Sequence, residues 1–332
     1  MRDAMHDKCS LYVDNYLKLK SSFKWGYAMN NRLGALLYTM ENSPVDVAAI
    51  KNCREVIKDS TSIFSYFQSS TSFIFATILS LKEEPENKIR EAVRIYELLK
   101  REGFHSSPYL VLAAASIVMY TEPNEQQSCV TRAKAFFDAM KEEHRFLTTA
   151  DDYTFAALLA LSEKEVNPTI REIESCYHWL KNDFRNSNAV QSLAQVLSFN
   201  EETMQEKCKR VVDLYQALKV RGLKFGLYIE LPFLGVVAML PKEVSAIADD
   251  IAEVDRYLRD IRGFGTWSIS AKERLMFAAA LVCDSFLSDA AKGAFIGTTS
   301  NAITSLLLAQ QATTIAVTSA IAASAAASSA ST

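Results

Sequence analysis

Five basic residues at one spacing constrain this chain more than any other feature. Lys100, Lys141, Lys181, Lys219 and Arg259 fall 41, 40, 38 and 40 positions apart. Each closes an amphipathic segment. The stripes ahead of them include Ile89, Val93, Tyr96, Leu99; Ile170, Ile173, Cys176, Tyr177, Leu180; Met204, Cys208, Val211, Tyr215, Leu218; and Val244, Ile247, Ile251, Val254, Leu258. Residues three and four apart share one face of a helix. Uncharged runs lie between these segments, at 109–120, 153–162, 189–199 and 231–240. The run at 153–162 holds Ala and Leu without a β-branched residue from Ala156 to Leu161, which favours helix over a buried strand. A helix apolar nearly all round, followed by one apolar on a single stripe, cannot hide its surface alone. A fixed period near 40 therefore predicts hairpins that bury their faces on tandem neighbours.

The prolines and glycines keep the same phase. Pro44, Pro85, Pro123, Pro168 and Pro241 open the striped helices, and Pro108 and Pro232 open the uncharged ones. Asn167 before Pro168 reads as an N-cap. Gly103, Gly222 and Gly263 come three or four residues after a closing base, where a left-handed C-cap is wanted. The fold class expected is all-α, a right-handed α-solenoid-like array of about seven helical hairpins with an uncharged C-terminal helix. Residues 1–70 hold N-terminal helices and the first hairpin, 71–292 the repeats, and 293–332 an uncharged tail rich in Ala, Ser and Thr. Within the first part, 11–25 reads as a helix with Tyr12, Tyr16, Leu19 and Phe23 on its stripe, 33–40 and 45–57 as a hairpin, and 61–70 as a connector.

Composition then excludes several classes. Of 332 residues, 49% are hydrophobic and 23% charged, which is the balance of a folded chain rather than a disordered one. A net charge of −3 gives no basic footprint for nucleic acid. The six cysteines lie at least 32 positions apart, without the paired spacing of a zinc site, and fit a reducing cytoplasm. The N-terminus mixes charges and lacks the apolar core of a secretory signal. No nucleophile elbow, phosphate loop or zinc-protease motif is present, so no catalytic residue, cofactor or metal is assigned. The acidic pair Asp151 and Asp152 reads as a helix start, and Asp249 and Asp250 as a solvated face. His178, between Tyr177 and Trp179, reads as a helix-surface histidine rather than a general base.

From 293 to 332 there is not one Asp, Glu, Lys or Arg. Residues 301–327 could form a helix of roughly 39 Å. The preferred reading lays it along the uncharged helices of its own chain or of a second copy, which leaves a homo-oligomer open. A membrane-associated chain held through 302–327 is the alternative, though Gln310 and Gln311 dilute the span; a disordered end is the third.

Several residues together resemble an uncharacterised bacterial family, domain of unknown function 4003. They are Leu36-Leu37-Tyr38, Phe64-Ser65, the FAALLALS run at 155–162, the turn Gly263-Phe264-Gly265-Thr266-Trp267-Ser268, and Ala309-Gln310-Gln311-Ala312. The resemblance covers nearly the whole chain and implies a bacterial origin; it carries no activity, cofactor or partner with it. Two places remain as partner-binding candidates. One is a basic patch of Lys219, Arg221 and Lys224, with Lys207, Lys209 and Arg210 one helix back. The other is the aromatic turn with Phe264 and Trp267. The function expected is a non-catalytic interaction or scaffold module that takes a protein or peptide. An enzyme with a site in a groove between repeats is the remaining alternative.

Overall fold

A computed structural model describes residues 3–23, 28–62, 65–69, 72–162 and 164–291. Among them it forms α-helices and no strand. The helices are α1 (Asp3–Ser22), α2 (Ala28–Met40), α3 (Val47–Ser60), α4 (Ser72–Leu79), α5 (Pro85–Arg101), α6 (Pro108–Tyr120) and α7 (Gln126–Glu143). They continue with α8 (Tyr153–Leu161), α9 (Val166–Leu180), α10 (Ser187–Leu197), α11 (Met204–Val220), α12 (Leu231–Ala238), α13 (Val244–Arg259) and α14 (Ala271–Ala291). Two compact units divide the chain. One contains 15–166; the other contains 3–14 together with 167–291.

Both units follow one packing rule. In the first, α2 packs on α4 and α6 on α8, while α3 packs on α5 and α5 on α7. Each odd helix also packs on the even helix after it: α3 on α4, α5 on α6, α7 on α8. In the second, α10 packs on α12 and α12 on α14, α11 packs on α13, and α11 and α13 pack on the even helix that follows. The uncharged runs are the even helices α4, α6, α8, α10 and α12, whereas α2 and α14 carry charged residues. From Phe73 to Leu79, Tyr153 to Ala160 and Leu231 to Ala238, every residue of α4, α8 and α12 is buried. Helices of eight or nine residues are marginal alone in water, so their order comes from this packing. Each fully buried Leu, Ile or Phe contributes about 1.5–3 kcal/mol. The odd helices bury one stripe only, and on α5 it runs through Ile89, Ala92, Ile95, Tyr96 and Leu99. Val93, expected on that stripe, is only half-buried.

The punctuation differs in detail from expectation. Pro85 and Pro108 begin their helices and Pro232 is second in α12, whereas Pro44, Pro123 and Pro241 each stand three residues ahead of one. Asn167 is not the N-cap of α9; the helix starts at Val166, and Asn167 and Pro168 occupy its first turn, where a missing N–H costs nothing. The N-terminal helix begins at Asp3, well before residue 11. Gly103, Gly222 and Gly263 have φ of 94°, 76° and 99°. At the first two, the next residue donates back five positions, Phe104 to the Leu99 carbonyl at 3.2 Å and Leu223 to Leu218 at 3.0 Å. That closes a Schellman cap. The 61–70 connector contains a short 3-10 turn, Tyr66–Gln68, and Gln68 Nε2 donates to the Thr61 carbonyl at 3.0 Å.

The far ends of the buried helices are clasped by side chains from other helices. Arg132 on α7 donates from Nε to the Ala160 carbonyl at 3.1 Å, and from Nη2 to Ser162 at 2.8 Å and Lys164 at 2.9 Å, covering the end of α8. Arg210 on α11 repeats this on α12, donating to Ala238, Leu240 and Lys242. Both arginines stand nine positions before a closing base. Before the other three closing bases that position is acidic and holds a lysine: Glu91 pairs with Lys88, Glu172 with Lys207, and Asp250 with Lys242. Lys88 and Lys207 in turn reach the carbonyls of Val118, at 3.5 Å, and Asn200, at 3.0 Å. At the end of α2 the donor is Asn15 on α1, to the Ser43 carbonyl at 3.0 Å.

Removing the Arg132 clasp by Arg132→Ala should lower unfolding stability by on the order of 2–3 kcal/mol, since three carbonyls lose a charged donor. Lys134→Ala, which removes only an exposed i,i+4 pair with Asp138, should cost less than about 0.5 kcal/mol in the same urea titration. The space beside Gly222 is open where a methyl group would stand, so Gly222→Ala should cost about 1 kcal/mol from backbone strain alone. At Gly235 a Cβ would meet Leu193 Cδ1 at 2.5 Å, and overpacking there should cost about 1–3 kcal/mol.

Candidate functional site

The six-cation patch is only partly a patch. Lys207 is buried, with its ammonium held by Glu172 and the Asn200 carbonyl. Arg210 serves the end of α12. Lys209 pairs with Asp213 one turn on. Arg221 donates from Nε to Asp249 Oδ1 at 2.7 Å, from Nη1 to the Ala217 carbonyl at 2.9 Å and from Nη2 to Ser245 at 3.1 Å. That hydrogen bond holds the Asp249 carboxyl below its ordinary range and pushes the guanidinium of Arg221 up. Asp249 and Asp250 are therefore both ion-paired, not simply solvated. Lys219 and Lys224 are left exposed, on either side of Val220 and Gly222.

The aromatic turn is split between inside and outside. Phe264 is fully buried, its ring 5.3 Å from that of Tyr12, which stacks on Phe277 at 5.8 Å. A buried Arg274 supports the turn, donating from Nε to Asp255 Oδ1 at 2.8 Å and from Nη1 to the Phe264 carbonyl at 3.4 Å. Phe264 thus locks the turn and presents nothing to a partner. Trp267, three residues on, is fully exposed.

Trp267 has counterparts that no stripe or motif singled out. Phe146 is 94% exposed, Tyr228 61% and Tyr66 41%. Each lies in the connection from an odd helix to the next even one: Tyr66 between α3 and α4, Phe146 between α7 and α8, Tyr228 between α11 and α12, Trp267 between α13 and α14. Val220, at the end of α11, is also exposed. The signal available in the sequence was an aromatic outside every apolar stripe.

The remaining candidates stand apart from these. His178 is exposed, with Nδ1 3.0 Å from Lys181 Nζ and its ring against Tyr177. Asp152 closes a capping box with Thr149, accepting its backbone N–H at 2.9 Å. An open cleft of about 570 Å³ is lined by Phe23, Lys51, Arg54, Lys58, Gln68 and Ser72, among others; Lys58 there pairs with Glu55. Among the described residues no group of His, Cys, Asp and Glu could hold a metal ion, and no helix is long and apolar enough to cross a membrane. Residues 302–327 lie outside the described residues, and so does Phe64.

A family model described as protein of unknown function, DUF4003, matches residues 15–312. The chain is similar to the uncharacterized protein YeaA of Bacillus subtilis (strain 168), 23% identical over 224 residues that make up 64% of this chain and 67% of that protein. No solved structure matches the chain. Neither description names an activity.

The two aromatics of the turn should respond oppositely to truncation. Phe264→Ala should lower stability by about 3–5 kcal/mol, as for other buried rings. Trp267→Ala should leave the melting temperature within error, because nothing in the fold depends on its indole.

Proposed function

This chain belongs to the DUF4003 family, and we propose that it serves as a non-catalytic interaction or scaffold module, an α-solenoid-like array of hairpins that takes a protein or peptide. One observation carries the reading: in both units exposed aromatics stand in connections that leave an odd helix, Tyr66 and Phe146 in one and Tyr228 and Trp267 in the other, while Tyr120 is exposed at the end of α6. Large rings in water are unusual enough to need a reason, and Trp and Tyr anchor interfaces more than other residues do. Connections on a rigid helical frame are where recognition is commonly carried. Around Val220, the exposed Lys219 and Lys224 add positive charge, which favours an acidic partner segment. The six free, buried cysteines suit a reducing compartment, so the partner is sought in the cytoplasm.

The test is a cross-linking and mass-spectrometry comparison of the full-length protein in its host with the double variant Tyr228→Ala, Trp267→Ala and with Phe146→Ala. The expected outcome is loss of a defined cross-linked partner in at least one variant, with circular dichroism unchanged. Retention of the same partners by all variants, at equal abundance, would remove the loop aromatics from recognition.

A further inference from the structure

The open cleft beside α3 gathers positive charge that its own lining does not balance. Lys51, Arg54 and Lys58 stand three and four positions apart on α3, which places them on one face of the helix, and all three line the cleft. They cover roughly 10 Å along the helix axis. All three are exposed. One acidic residue, Glu55, lines the cleft with them, and it is taken by Lys58 at 3.5 Å. Lys51 lies over the ring of Phe23, 6.0 Å from its centroid. Among the described residues neither Lys51 nor Arg54 has a carboxylate partner. Three cations against one carboxylate leave the lining with an excess of two positive charges.

The walls around these cations are fixed by packing and hydrogen bonds. Phe23 follows α1 and is half-buried; its ring meets that of Phe73 edge-on at 5.1 Å, and its backbone N–H donates to the Leu19 carbonyl at 2.8 Å. Gln68 Nε2 donates to the carbonyls of Lys58 at 3.3 Å and Thr61 at 3.0 Å, which ties the connection after α3 back to that helix. Every one of these residues belongs to the unit containing 15–166. A volume of about 570 Å³ is that of a small-molecule site.

We propose that this cleft binds a small organic phosphate, a phosphomonoester carried on an aromatic or apolar body. Such a group bears about −1.5 to −2 charges at neutral pH, which matches the excess in the lining, whereas a carboxylate supplies one. Arg54 offers the planar fork that meets two phosphate oxygens at once, and Lys51 and Lys58 add point charges one turn to either side of it. Phe23 offers a ring against which the body can stack. The contacts that Lys51 and Lys58 make in the free protein lie at the surface and are weak, so both ammoniums turn to a dianion at little cost. The proposal does not depend on the recognition role given to the aromatics in the connections.

The experiment titrates the full-length protein with phenyl phosphate, inorganic phosphate and benzoate by isothermal calorimetry. The expected result is saturable binding of phenyl phosphate, tighter than that of inorganic phosphate, which lacks the body, and of benzoate, which carries a single charge. Arg54→Ala should weaken phenyl phosphate binding by about tenfold or more, and Arg54→Lys by less. Lys134→Ala, on α7 and outside the cleft, should leave it unchanged. Circular dichroism of the Arg54 variants should match the wild type, because that side chain is exposed. No saturable binding of phenyl phosphate at millimolar concentration, equal affinity for either of the other probes, or an affinity unmoved by Arg54→Ala would each overturn the proposal. So would tighter binding of an alanine-flanked phosphotyrosine peptide, which would assign the cleft to a protein segment instead.

Discussion

A helix buried on every side must find partners inside the protein for its last four carbonyls, because water does not reach them. That demand shapes the structure more than any single contact. The uncharged helices supply the dry surface but cannot answer their own ends. The answer comes from a cation or an amide on another helix: Asn15, Lys88, Arg132, Lys207 and Arg210 each reach a carbonyl at or beyond the end of an even helix. The amphipathic helices thus do two jobs. One stripe closes the core, and one long polar side chain at its margin terminates a neighbour.

Much of the helical framework is legible in the sequence because it depends on local chemistry. Apolar spacing places the odd helices, Ala and Leu place the even ones, and positive-φ glycines end them. What escapes is whatever tertiary contact decides. Lys207 looks like a member of a surface patch until Glu172, 35 residues earlier, draws it inward. Phe264 and Trp267 share a turn and a hydrophobic character, yet only the first has Tyr12 to pack on, and Tyr12 is more than 250 residues away. Phe146 and Tyr228 belong to no periodic pattern, so periodicity could not single them out. The early start of α1 follows from the same cause: Cys9 and Met5 extend its buried face, although charged neighbours interrupt the pattern.

Interior and exterior carry different kinds of chemistry in consequence. The exposed faces of the odd helices are largely occupied by ion pairs one turn apart, each worth little and holding nothing in place. The aromatics in the connections stand outside those pairs, exposed to solvent. Inside, most polar groups are absorbed by clasps and caps.

The alternation at the clasp position has an evolutionary reading. Glu91, Arg132, Glu172, Arg210 and Asp250 change sign at every step, and the two arginines, 78 positions apart, reach carbonyls at identical offsets. The side-chain pattern thus returns after two hairpins, not one. A recombination event that excised a single hairpin would leave like charges at successive steps and a helix end without its donor. Excising two would restore the order.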